Sequence, residues 1–133
     1  MNCERRFFIS LLLVSLSLVL LACGSSTSSP DGPPGSLTCP GGGAPVATMS
    51  VAVQDFSFNP PCIVVPAGST VTWTNIGMPT HTVTSDSGAP VTFDSGALGT
   101  SGTFSFTFAS PGTINYHCIP HQSIGMVGTV IVQ

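Results

Sequence analysis

The chain has 133 residues, enough for one domain of ordinary size, and it carries very few charged side chains. The only cations are Arg5 and Arg6, and the formal net charge is −3. Nucleic acids are bound chiefly through Lys and Arg contacts to phosphate, and anionic lipid surfaces attract clusters of the same residues. This composition therefore excludes a nucleic-acid partner and a polybasic contact with lipid, while the Val, Ile and Phe content is too high for a disordered chain.

Residues 1–22 are typical of an export signal. The two arginines precede an apolar run, Phe7 to Leu21, that is short for a membrane span. The run ends in Leu20-Leu21-Ala22-Cys23, which resembles a bacterial lipobox. This resemblance implies cleavage before Cys23 and lipidation of Cys23, whereas the alternative is an ordinary secretory signal followed by a chance cysteine. Because several acyl chains hold a protein on a membrane, we expect a lipid-anchored protein of the bacterial cell envelope, on the periplasmic or extracellular face.

Residues 23–46 are rich in Ser, Gly and Pro and contain almost no large apolar side chains. Such a segment buries too little surface to fold by itself, so it predicts a flexible tether. The folded domain is then expected over residues 47–133.

From Ala47 onward the sequence changes to short alternating runs separated by turn signals, and no helix is obvious. Many short strands at this spacing predict an all-β fold, a Greek-key β-sandwich of about eight strands. In Gly102–Phe108 the alternating Phe side chains should face the core and the Thr and Ser side chains the solvent, and Trp73 is also expected in the core. The candidate strands are Ala47–Gln54, Ile63–Val65, Thr70–Thr74, His81–Ser85, Val91–Asp94, Gly102–Phe108, Thr113–Cys118 and Gly128–Val132.

The segment Tyr116–Met126 contains a thiol, an imidazole and a thioether, from Cys118, His121 and Met126. A soft sulfur, a nitrogen ligand and a weak axial sulfur form the ligand set of an electron-transfer copper centre. His81 is the only good candidate for the second imidazole that such a centre needs. Taken singly, these residues have simpler interpretations: a turn histidine, a buried or reactive cysteine, and a core methionine.

The spacing C-x2-H-x4-M, followed by Val127–Val132 and preceded by N-x-G-x-P-x-H over Asn75–His81, resembles the cupredoxins. The similarity is greatest to their plastocyanin and pseudoazurin branch. It implies that Cys118, His81, His121 and an axial Met126 bind one type 1 copper ion. It also implies a monomeric electron carrier, not an enzyme, with redox proteins such as cytochromes or copper oxidases and reductases as partners.

In the resembling proteins an apolar rim surrounds the exposed edge of the C-terminal histidine, where electrons enter and leave. Here the neighbouring residues Met78, Pro79, Pro120, Ile124 and Gly125 would form this rim, or would be ordinary loop packing. Docking on such a small patch would be brief and weak.

Three other functions fit parts of the pattern. A copper carrier or storage protein would bind the ion without redox cycling, but it would favour Met-rich tracts that the chain lacks. A structural zinc site would use Cys and His, but a thioether is a poor zinc ligand. An enzyme with a second copper could use His117, yet His117 neighbours Cys118 on a strand and should point to the opposite face.

The export signal also assigns the five cysteines. Cys3 leaves with the signal, Cys23 is the lipidation site and Cys118 the proposed ligand. Cys39 and Cys62 remain, and in an oxidising compartment they would form a disulfide or stay as two unpaired thiols.

Overall fold

The computed structural model describes residues 37–133. The predicted export signal, Cys23 and residues 23–36 of the predicted tether lie outside the described residues. In the described part, no helix is long and apolar enough to cross a membrane.

The described residues form nine strands and one 3-10 helix, arranged in two sheets. One sheet has the order β1-β4-β9-β8-β6 and the other the order β3-β2-β5-β7. The predicted all-β sandwich is therefore confirmed. The strands are β1 (Val46–Ala47), β2 (Ser50–Gln54), β3 (Ser57–Asn59), β4 (Cys62–Val65), β5 (Ser69–Asn75), β6 (Thr84–Ser85), β7 (Thr103–Phe108), β8 (Gly112–His117) and β9 (Val127–Val132), with the 3-10 helix at Ile119–Ile124 between β8 and β9.

An aromatic cluster fills the space between the sheets. Trp73 and Tyr116 are fully buried, and their ring centroids lie 5.5 Å apart. On β7 the Phe side chains are buried or half-buried while the alternating Thr and Ser side chains are exposed, as predicted. The outward hydroxyls pair across strands, Thr70 with Thr107 at 2.7 Å and Thr72 with Ser105 at 2.8 Å. The core therefore supports β8, the strand that leads to Cys118.

The predicted single strand Ala47–Gln54 is wrong, because this segment divides between the two sheets. Ala47 pairs with Val64 in one sheet, and Ser50 pairs with Thr72 in the other. A chain that crosses between sheets must interrupt its backbone ladder. The Thr48 hydroxyl accepts the Ser50 N–H at 3.2 Å at this interruption.

Two further strand predictions need correction, and one strand was missed. The segment Val91–Asp94 contains only an isolated bridge from Asp94 to Thr84, and His81–Ser85 keeps only β6 as strand. Hydroxyl side chains replace ladder partners here: the Ser95 hydroxyl accepts the Val83 N–H, and the Ser85 hydroxyl accepts the Phe93 N–H. The alternation of apolar and polar residues in the sequence does not show where a hydroxyl side chain takes the place of a backbone partner. The missed strand is β3.

A disulfide joins Cys39 to Cys62 at the start of β4. Both cysteines are buried and pack with Ile131, partly covered by Leu37 and Val64. Cys39 also closes a turn by donating its N–H to the Gly43 carbonyl at 3.0 Å. The disulfide thus attaches the segment before β1 to the first sheet.

Candidate metal centre

Three of the four predicted ligands meet at one end of the sandwich. The ligand atoms of His81, Cys118 and His121 all lie within 4.8 Å of one another. The two Nδ1 atoms are 3.1 Å apart, and the Cys118 Sγ lies 3.6 Å from His81 Nδ1 and 3.3 Å from His121 Nδ1. A point equidistant from these three atoms lies about 2 Å from each, close to the usual length of a metal–imidazole bond. The donor set and its spacing therefore fit a metal ion bound by two nitrogens and one sulfur.

The 3-10 helix between β8 and β9 brings the C-terminal candidates together. Cys118 is the extended residue before this helix, a proline lies in its first turn, and Gly125 ends it with a left-handed φ of 89°. The His121 N–H donates to the Cys118 carbonyl at 3.0 Å, and the Cys118 N–H donates to the Met126 carbonyl at 3.1 Å. Left-handed φ favours glycine, which explains Gly125 in a turn this tight.

Met126 is fully buried, in the core cluster that also contains Cys118. Its backbone bonds to the backbones of Cys118 and His121: its carbonyl accepts the Cys118 N–H at 3.1 Å, and its N–H donates to the His121 carbonyl at 3.2 Å. The loop backbone therefore gathers the fourth predicted residue with the others. Its role as an axial ligand remains a prediction.

Asn75 holds the loop that carries His81. Its buried amide nitrogen donates to the carbonyls of Pro79 and Leu98, each at 2.9 Å, and its amide oxygen accepts the Gly77 N–H at 2.9 Å. Leu98 in turn exchanges two backbone hydrogen bonds with His81, at 3.0 and 2.8 Å. The first residue of the N-x-G-x-P-x-H motif is thus a structural clamp, a role that the sequence analysis did not assign.

Thr82 is a second residue that the sequence analysis missed. Its backbone N–H donates to the Cys118 Sγ at 3.3 Å, and its hydroxyl accepts the Ile119 N–H at 2.8 Å. The first contact places a backbone hydrogen-bond donor on the Cys118 sulfur. The second links the two ligand segments. The feature of the sequence that could have indicated this role is a hydroxyl residue directly after the candidate ligand His81.

Burial and charge favour the metal-binding form of His81. The side chain is completely buried, and this desolvation lowers the pKa of His81 below its usual value of 6.5. The neighbouring His121 lowers the pKa of His81 further, and Asp55 opposes both effects. A neutral imidazole has a free nitrogen lone pair, so the site is prepared for a cation.

His117 lies outside the cluster. Its Nδ1 is 2.6 Å from the Asp86 carboxylate, and the ring is partly buried on the other side of β8. No local pattern in the sequence pairs Asp86 with His117, which lies 31 residues away. Among residues 37–133, the His81, Cys118 and His121 group is the one set of three or more His, Cys, Asp or Glu side chains placed to hold a metal.

Comparison with known proteins identifies the family. A family model for copper binding proteins of the plastocyanin/azurin family matches residues 46–133. The chain belongs to this family. The resemblance to cupredoxins is therefore confirmed, and so is copper as the cofactor, because the His-Cys-His cluster lies within the matched region.

Relatives of this cupredoxin include several kinds of copper protein. Amicyanin-alpha of Methylorubrum extorquens is 37% identical over 92 residues, which cover 68% of this chain and 76% of that protein. Halocyanin of Natronomonas pharaonis is 37% identical over 90 residues, covering 66% of this chain and 55% of that protein. Plastocyanin of Tetradesmus obliquus is 36% identical over 84 residues, covering 57% and 58%. Since amicyanin and plastocyanin both match, the plastocyanin and pseudoazurin branch remains a prediction.

Solved cupredoxin structures share the fold. A purple cupredoxin from Nitrosopumilus maritimus superposes with a TM-score of 0.57 at 26% identity, covering 63% of this chain and 98% of that one. Oxidized plastocyanin from Dryopteris crassirhizoma gives a TM-score of 0.57 at 31% identity, covering 63% and 99%. The part of the chain that superposes is thus close to a whole cupredoxin domain.

Proposed function

We propose that this cupredoxin carries single electrons between redox proteins. Cys118, His81, His121 and Met126 would hold one type 1 copper ion. The observation that carries the proposal is the triangle of two Nδ1 atoms and one Sγ, with sides of 3.1, 3.6 and 3.3 Å. Bound copper supplies a one-electron change between Cu(I) and Cu(II), which such a ligand set serves with little rearrangement.

The protein's part is to hold these donors still. His81 and Cys118 are fully buried, and backbone hydrogen bonds fix both the His81 loop and the helix that carries His121. The Thr82 N–H orients toward the Cys118 sulfur, and contacts of this kind tune a metal's potential. A rigid, mostly dry site keeps the structural change during electron transfer small.

Electrons would enter and leave at His121, the one partly exposed member of the triangle. The segments that carry or contact it present an apolar patch of half-exposed or exposed side chains, namely Phe56, Ile76, Met78, Ile119 and Ile124. Residues 37–133 contain three Asp and no Lys or Arg, so electrostatic steering would be modest and would favour a basic partner. Cytochromes and copper oxidases or reductases are the classes of partner proposed.

We also propose export and anchoring through Cys23. The lipobox-like sequence supports it, and the Cys39–Cys62 disulfide is independent support, because such bonds persist in oxidising compartments. Mass spectrometry of the mature N-terminus tests the anchor. We expect an acylated Cys23 at the mature N-terminus. The Cys23→Ser variant should lack the acyl chains and should be released from membranes. An unmodified N-terminus at another residue would contradict the proposal.

Visible absorption after addition of Cu(II) tests the carrier function. An intense band at ~600 nm, bleached by ascorbate and restored by oxidant, is expected from copper–thiolate bonding. Repeated cycles should leave the bound copper in place. Copper that binds without this band, or leaves on reduction, would favour the alternative, a copper-handling protein without redox cycling.

A further inference from the structure

Phe56 adopts an unusual backbone conformation beside the metal centre. It follows β2 in the tight connection to β3, with φ of 62°, and its side chain is 50% exposed. A bulky residue is an outlier in this left-handed region, which glycine would occupy without steric cost. Outliers of this kind persist where the surrounding structure imposes them, and they concentrate at functional sites.

The ring of Phe56 stands against the histidines of the centre. Its centroid lies 5.0 Å from that of His121 with an interplanar angle of 85°, and 6.3 Å from that of His81 with an angle of 81°. Edge-to-face contact is a favoured arrangement of aromatic rings. The unusual backbone therefore delivers the ring to an attractive position on His121.

Asp55 fixes this turn to the neighbouring loop. Its carboxylate accepts the Met78 N–H at 3.0 Å. A Cβ on Gly77 would collide with the same carboxylate, so only glycine allows this approach. The Ile76 N–H also donates to the Val53 carbonyl at 2.9 Å. Phe56 is thus held by both the β2–β3 hairpin and the loop that precedes His81.

We propose that Phe56 is a positioning residue for His121. In the described residues, the hydrogen-bonding contacts of the His121 ring are both at Nδ1, toward His81 and Cys118. These contacts fix the position of the Nδ1 atom of His121, and contact with the Phe56 ring fixes the orientation of the imidazole plane about that atom. The inference rests on the proposed copper function, in which a steady His121 keeps copper bound.

The test compares four variants of the purified protein by two measurements. Histidine ring NMR of the metal-free protein is simple to assign, because the chain has three histidines. Phe56→Leu should broaden or split the His121 signals and speed copper loss to a chelator by about fivefold, the ratio expected from an aromatic pair. Phe56→Tyr should restore both properties. Phe56→Asn suits a left-handed φ, so it removes the ring without backbone strain and should behave like Phe56→Leu.

Met49→Leu is the matched control. Met49 is 52% exposed and precedes β2, whereas Phe56 follows it, so both measurements should stay at wild-type values. Sharp, single His121 signals in both Phe56→Leu and Phe56→Asn would overturn the proposal. If Phe56→Leu fails to fold, Phe56→Asn decides. Absence of the copper–thiolate band in the wild-type protein would instead refute the copper function, and the metal-free NMR comparison would still decide the role of Phe56.

Discussion

Asn75→Ala removes the side chain that braces the His81 loop. The substitution removes three hydrogen bonds of the side-chain amide. Its oxygen no longer accepts the Gly77 N–H, and its nitrogen no longer donates to the carbonyls of Pro79 and Leu98. The Leu98 carbonyl keeps the His81 N–H as a partner. Two backbone groups, the Gly77 N–H and the Pro79 carbonyl, therefore lose the partner that the side chain supplied.

The magnitude follows from these two groups. A buried donor or acceptor left without a partner costs about 1–3 kcal/mol. Gly77 is buried, whereas Pro79 is partly exposed and water can replace part of its lost hydrogen bond. We expect the free energy of unfolding of the metal-free protein to fall by about 2–4 kcal/mol. Copper retention should also decrease, because the loop delivers His81.

Equilibrium urea denaturation of the metal-free protein measures this loss. Asn115→Ala is the matched control, since it removes the same atoms from an exposed position on β8. The Asn115 side chain accepts one hydrogen bond, from the Thr129 hydroxyl at 2.9 Å. Its cost should stay below about 1 kcal/mol. Equal costs for the two variants would refute the reasoning, because they would show that the buried amide does not brace the loop.

Three other predictions concern the thiolate, the pH dependence and the disulfide. Cys118→Ala should abolish the copper–thiolate band, and His117→Ala should leave it nearly intact in the absorption spectrum, since His117 faces Asp86. The pKa of His81 is lowered on folding, so the unfolded chain binds more protons below its usual value of 6.5. The urea midpoint of the metal-free protein should therefore fall as the pH is lowered through that range, and a midpoint that rises would contradict the assignment. Replacing Cys39 and Cys62 with Ser opens a loop of 23 residues and should cost about 3 kcal/mol in the same assay, whereas an unchanged midpoint would show that the link does not constrain the unfolded chain.

The fold class could be predicted from the sequence, and so could the three donor residues that the structure brings together, His81, Cys118 and His121. The alternating Phe residues on β7 predicted a buried face, because successive side chains of a strand point to opposite faces of the sheet. The spacing from Cys118 to His121 and Met126 is local, so one short loop had to bring these residues near one another, and their chemistry pointed to copper.

The surroundings of these residues depend on long-range packing, so they could not be predicted from the sequence. Thr82, Phe56 and Asp86 contact partners far along the chain, and Asn75 does so through its hydrogen bond to the Leu98 carbonyl. No local pattern indicates which distant atom a polar or aromatic side chain will meet. The same limit explains the wrong strand at Ala47–Gln54, since its division depends on partners in two different sheets. Local sequence fixes which groups are available, and long-range packing fixes which of them meet.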